Sequence, residues 1–235
     1  MKITENNNIY FKSRNPVIRD ADAIARHVNN LFPRVSTTKL MSYNHYAESV
    51  FAKKRTLEYI HNPTRKKLNT MRWSNKSMAA SGRSDFDKIS HYIDLVRESR
   101  VGNCGESAFL CKVVAACNGI KNTTIAAIFS RFGDVDHSVL YVKDKKPYVI
   151  DPWLGFADYP KKSIERYICE CNKFMGFSDK EEKMLSALRR KTRLLKFVDD
   201  NSNHIYSKIN FSDELIEKLL QKYPELKMTT KKAKN

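Results

Sequence analysis

Apolar residues recur at helical spacing through most of the first hundred positions. From Asp20 to Leu31, Ala21, Ile24, Ala25, Val28 and Leu31 fall on one face, and Pro33 ends the run. Tyr43 to Ile60 predicts a second helix, closed by Asn62-Pro63. Asp85 to Glu98 predicts a third, with Phe86, Ile89, Tyr92, Ile93 and Val96 as its buried stripe. The middle of the chain changes character. Cys104 to Cys117 reads as an apolar helix ended by Gly119, with Ile120 as the C-terminal apolar contact. Thr123 to Ser130, Ser138 to Val142 and Tyr148 to Ile150 read as strands, the last two joined by the turn Asp144-Lys145-Lys146-Pro147.

Helix returns from Lys161. Ser178-Asp179 is read as the cap of a helix from Lys180 to Val198, with Met184, Leu185, Leu188 and Leu195 on one face. Arg189, Arg190, Lys191, Arg193 and Lys196 supply its basic side, as in helices that cover a core or lie on a partner or membrane. Ser212 opens a short helix to about Tyr223, and the tail from Lys227 is expected to be loose. A helix followed by a short antiparallel hairpin, without βαβ alternation, predicts an α+β fold. One domain is expected over residues 1–235: a helical part to 100, a core over 101–160 and a basic helical part over 161–235.

Composition narrows the function classes. Hydrophobic residues at 41% and charged residues at 29% suit a globular chain. The N-terminus lacks the apolar stretch of an export signal, and no apolar run is long enough to span a bilayer. The cysteines are Cys104, Cys111, Cys117, Cys169 and Cys171, an odd number without zinc-site spacing. They are read as free thiols in a reducing, cytosolic compartment, which delivery into a host cell by a dedicated secretion machine would also reach. No metal or cofactor is expected.

The net charge of +17 points to acidic partners: a protein surface, anionic lipid or nucleic acid. The basic clusters are not interleaved with stacking aromatics, so nucleic acid is not an obligatory partner. Between Lys53 and Arg72, seven basic residues face the single acid Glu58, a patch read as a solvated face or an anion-binding one.

Three short segments carry the candidate chemistry: Gly102-Asn103-Cys104-Gly105-Glu106, Asp136-His137-Ser138 and Ile150-Asp151-Pro152-Trp153. A thiol nucleophile reacts as thiolate, and a helix N-terminus favours the anion. Cys104 stands at such a place between two glycines that would let a substrate approach the backbone, with its own amide available to an oxyanion. A nucleophile needs a base, and the base an orienting partner. If the hairpin turns about Lys145, position 139 faces 151, and His137 and Asp151 become diagonal neighbours on one sheet face. A register shifted by one residue would separate them.

Gly102 to Trp153 resembles the core shared by tissue transglutaminases, peptide N-glycanases and many bacterial cysteine hydrolases, the transglutaminase-like and papain-like superfamily. The resemblance implies a nucleophile helix packed on a small antiparallel sheet. It implies Cys104 as nucleophile, His137 as general base and acid, and Asp151 as its orienter. The expected activity is acyl transfer on protein amides, as deamidase, transglutaminase or protease, and the compact basic chain is similar in style to bacterial effectors of this type.

Departures are visible. Glu98 stands where papain-type enzymes place an oxyanion-hole glutamine. Trp73 is the only upstream tryptophan and is read as core packing. Val101-Gly102 keeps half of the doubled glycine of arylamine N-acetyltransferases. The rival reading is a binding module that keeps the fold, lacks chemistry, and uses its basic surface on an acidic protein, membrane or nucleic acid.

Overall fold

The computed structural model describes residues 15–34, 63–129, 136–175, 196–199 and 209–229. The architecture is α+β. Its helices are α1 (Pro16–Leu31), α2 (Pro63–Ala80), α3 (Asp85–Ser99), α4 (Cys104–Cys117), α5 (Pro160–Met175) and α6 (Asp213–Lys222). Its strands are β1 (Thr123–Phe129), β2 (Asp136–Val142), β3 (Tyr148–Asp151), β4 (Phe156–Asp158) and β5 (Lys196–Asp199). The strands form one antiparallel sheet in the order β4-β3-β2-β1-β5.

Local signals explain the helix ends. Asn15 caps α1 by accepting from the Val17 amide at 2.9 Å, and Pro16 occupies the first turn, where its missing N–H costs nothing. The helix therefore starts four residues before the Asp20 expected from periodicity. Ser84 caps α3 and Ser212 caps α6 in the same way. Helix α3 stops at Arg100, which adopts a left-handed φ of 53°. Helix α4 ends as expected: Gly119 takes a φ of 89°, and the Ile120 amide reaches back to the Ala115 carbonyl at 2.9 Å.

Helix α4 is buried on every side from Gly105 to Cys117, which is why its sequence carries no clear amphipathic stripe. It packs on one face of the sheet with Ile125, Leu140, Val142, Tyr148 and Ile150. The same cluster takes in Ile18 to Phe32, the buried faces of α2, α3 and α6, and Leu226. Strand residues of the opposite parity, Ala126, Ile128, Val139 and Val149, join Trp153 and Tyr167 in a second cluster on the other face. Period-two alternation thus sends each strand's side chains to two different cores.

Three expectations are corrected. Lys196 to Val198 do not continue a helix; they belong to β5, whose β-forming Phe197 and Val198 pair with β1 at the sheet edge. Residues 180–195 and the helix expected from Tyr43 to Ile60 lie outside the described residues. The chain at Lys227 and Met228 is not loose, while residues 230–235 of the expected tail lie outside the described residues. The Lys227 Nζ donates to the Cys117 carbonyl at 3.0 Å, and the Met228 amide donates to Asn118 Oδ1 at 2.9 Å, pinning this stretch to the end of α4. Trp73 does not pack in the core either; it is 72% exposed. Its helix turns Leu68, Met71 and Asn75 inward instead.

Candidate active site

The hairpin of β2 and β3 pairs Leu140 with Ile150 and Tyr141 with Val149, a register centred on Lys145. This puts His137 and Asp151 on one face, the face of the second cluster. His137 Nε2 lies 2.6 Å from Asp151 Oδ2, with both residues about 1% exposed. Asp151 is itself held: its Oδ1 accepts from the amides of Trp153 (3.1 Å) and Leu154 (3.0 Å). Asp-Pro-Trp-Leu is thus a turn that aims the carboxylate, and Gly155, at a φ of 78°, closes it into β4.

Cys104 is the first residue of α4 and is half-buried against the same cluster. Its side chain is in hydrogen-bonding reach of the His137 ring. Since Nε2 is committed to Asp151, the sulfur is left with Nδ1. The structure therefore brings together Cys104, His137 and Asp151 from the start of a helix, the start of one strand and the end of the next.

Burial works against a charged imidazole. The Asp151 charge and hydrogen bond outweigh it, the Cys104 contact adds to them, and the pKa of His137 is raised from 6.5 to about 10. The Asp151 contact thus favours the protonated ring. The other described thiols are inert by comparison: burial raises Cys111 well above the ordinary range and Cys117 to about 11.

No family model, curated protein or solved structure matches this chain.

Several supporting residues escaped the sequence reading. Tyr167 of α5 stacks on the His137 ring, with centroids 4.3 Å apart and planes 10° from parallel, and Trp153 leans on it at 5.1 Å. The two aromatics fix the imidazole plane, and their π-faces suit a cation.

Two arginines brace the residue before Cys104. Glu106 Oε2 accepts from the Asn103 amide at 2.8 Å, and Arg72 grips the same carboxylate through Nε at 2.6 Å and Nη2 at 3.0 Å. Burial alone would raise the pKa of Glu106; the Arg72 hydrogen bond and charge bring it below the usual value. On the other side, Ser107 Oγ donates to the Asn103 carbonyl at 2.8 Å and accepts from Arg34 Nη2 at 2.7 Å. Both polar atoms of the Asn103 peptide unit are thereby fixed. The Asn-x-x-Glu spacing of a capping box signals the Glu106 half of this arrangement in the sequence. Nothing in the sequence links Arg34, Arg72 or Tyr167 to it, because those contacts are made across the fold.

Arg72 is thus not simply part of a solvated basic face. Gly102 also has a different reason from the one expected. A β-carbon there would sit 2.9 Å from Arg34 Cδ and 3.2 Å from Glu106 Cβ, so glycine admits the two braces. Among the described residues no group of three or more His, Cys, Asp or Glu side chains could hold a metal ion, and no helix is long and apolar enough to cross a membrane.

Proposed function

We propose that this chain is a cysteine-dependent acyl-transfer enzyme acting on protein amides, with a transglutaminase-like or papain-like core. The observation that carries this reading is the convergence of a helix-start cysteine, a buried histidine and a carboxylate 2.6 Å from its Nε2. The orienter is in turn fixed by two backbone amides, so the ring can present only Nδ1 to sulfur.

The chemistry follows from that arrangement. Cys104 sulfur attacks the amide carbonyl carbon as thiolate beside the imidazolium. The carbonyl π electrons move to oxygen, and the Cys104 amide at the head of α4 is the available donor to that oxyanion. As the tetrahedral species collapses, His137 passes its proton to the departing nitrogen, the C–N bond breaks, and a thioester remains. Now neutral, His137 takes a proton from the incoming water or amine, which displaces sulfur and restores the thiolate. Asp151 stabilises the imidazolium through its contact with Nε2. Water gives deamidation or proteolysis; an amine gives transamidation. The carboxamide of a protein glutamine is the substrate group we favour, by the resemblance.

Incubation with candidate proteins followed by intact-mass and peptide mass spectrometry tests the reading. Products shifted by about +1 Da mark deamidation, about −17 Da crosslinking, and new termini cleavage, each following from thioester breakdown. The products should vanish with Cys104→Ala. Their persistence in that variant would overturn the assignment.

A further inference from the structure

Helix α2 has two faces with different work. Leu68, Met71 and Asn75 point into the protein. At 100° per residue, Lys66 and Trp73 point in the opposite direction and Lys76 lies about 60° to one side of Trp73, whereas Lys67 projects from the side of the helix opposite Lys76 and is not part of that strip. Trp73 is 72% exposed, against 45% for Val17, the other exposed large hydrophobic residue among those described. The helix contains no acidic residue. Lys66 and Lys76 make no ion pair among the described residues, whereas Arg72 is spent on Glu106.

We propose that this face is a docking surface for an anionic membrane, with Trp73 entering the headgroup region and the lysines contacting lipid phosphates and carboxylates. Three features favour lipid over an acidic protein. The cations without an ion pair among the described residues are lysines, which protein interfaces deplete in favour of arginine. The lone large apolar side chain is a tryptophan, the residue that settles at the membrane–water boundary. The neighbours Asn69, Thr70 and Ser77 are exposed and polar, so the face offers no apolar pocket for a partner's side chain but tolerates hydrated headgroups. The overall charge of +17 adds long-range attraction to the same surface. Arg72, one residue before Trp73, ties this helix to the cap of the nucleophile helix, so docking would hold the candidate active site near the bilayer surface. The surface does not depend on the triad being catalytic.

The test is co-sedimentation of the full chain with vesicles of phosphatidylcholine alone or with about one-third phosphatidylserine, at low and at physiological salt. Binding is expected only with phosphatidylserine, weakening as salt rises, with a blue shift in emission as exposed Trp73 leaves water. Each lysine contributes roughly five-fold, so Lys66→Ala/Lys76→Ala should weaken partitioning about 25-fold. The charge-matched control Lys145→Ala/Lys146→Ala, on the β2–β3 turn, should retain most of the binding. Trp73→Ala should weaken binding and abolish the spectral shift. Equal losses in the two double variants would overturn the proposal, as would absence of vesicle binding. Binding of these residues to a polyanion such as heparin without vesicle binding would refute it in favour of a non-lipid partner. Each variant is exposed at the altered positions, and circular dichroism checks that it is folded.

Discussion

Replacing Arg72 by alanine removes one partner of a buried ion pair while leaving the other in place. The Glu106 side chain is 7% exposed, and both of its oxygens accept from the guanidinium. In Arg72→Ala the carboxylate keeps the Asn103 amide at 2.8 Å but loses both charged donors. Breaking a fully buried pair costs about 3–5 kcal/mol. Here the Arg72 side chain is 43% exposed, so solvent screens the pair and can enter the vacated space. That reduces the expected loss to about 2 kcal/mol.

Unfolding entropy of about 2.1 cal/mol/K per residue gives roughly 0.5 kcal/mol/K for this chain, hence a drop of about 4 °C in Tm. Arg72→Lys, which keeps the charge but not the two-pronged grip, should fall between. Calorimetry at several pH values checks the cause. The pKa of Glu106 is lower in the folded chain than in the unfolded one. Its contribution is therefore full above the unfolded value, about 4.3, and is lost as pH falls through the folded one. The gap between wild type and Arg72→Ala should close below about pH 4. A change under about 1 °C at neutral pH, or a gap that persists in acid, would refute this reasoning.

Three more outcomes follow. Gly102→Ala forces its β-carbon against Arg34 and Glu106 and should destabilise by about 1–3 kcal/mol by chemical denaturation, without the acid dependence of Arg72→Ala. Arg100→Gly relieves the left-handed cap of α3, so it should leave stability unchanged or raise it by up to about 1 kcal/mol, where a loss would contradict the cap assignment. The raised pKa of His137 stabilises the fold fully below the unfolded value near 6.5, and this is lost as pH rises through about 10. The alkaline decline in Tm should accordingly be shallower in His137→Gln.

The elements with strong local signals were legible: α4 from its apolar run and terminal glycine, α3 from its stripe, and the hairpin from its four-residue turn. The register about Lys145 was only a condition on the four-residue turn; the strands adopt it, and a period of two then puts His137 and Asp151 on one face. What could not be read depends on distant parts of the chain. A basic, apolar-spotted stretch ending at Val198 suits a helix by spacing, yet β1 offers an open edge that recruits Lys196–Asp199 as a strand. Trp73 suggested core by composition, but only the packing of α2 decides which face is turned in. Arg34 and Arg72 looked like surface charge because a lone sequence does not show the carboxylate and hydroxyl they meet.

The central claim, that sulfur and a cationic imidazole act as one unit oriented by Asp151, is tested most directly by the rate of iodoacetamide alkylation at pH 6.5, located by peptide mapping. An ordinary thiol at that pH is about 1% thiolate; a thiolate held by imidazolium gains up to about 100-fold in population and returns about ten-fold through lower nucleophilicity. Cys104 should therefore be labelled first, ahead of buried Cys111 and Cys117, and about 10-fold more slowly in His137→Ala, with Asp151→Asn also slowed. Equal slow labelling of the cysteines, or a rate at Cys104 indifferent to His137, would contradict the account.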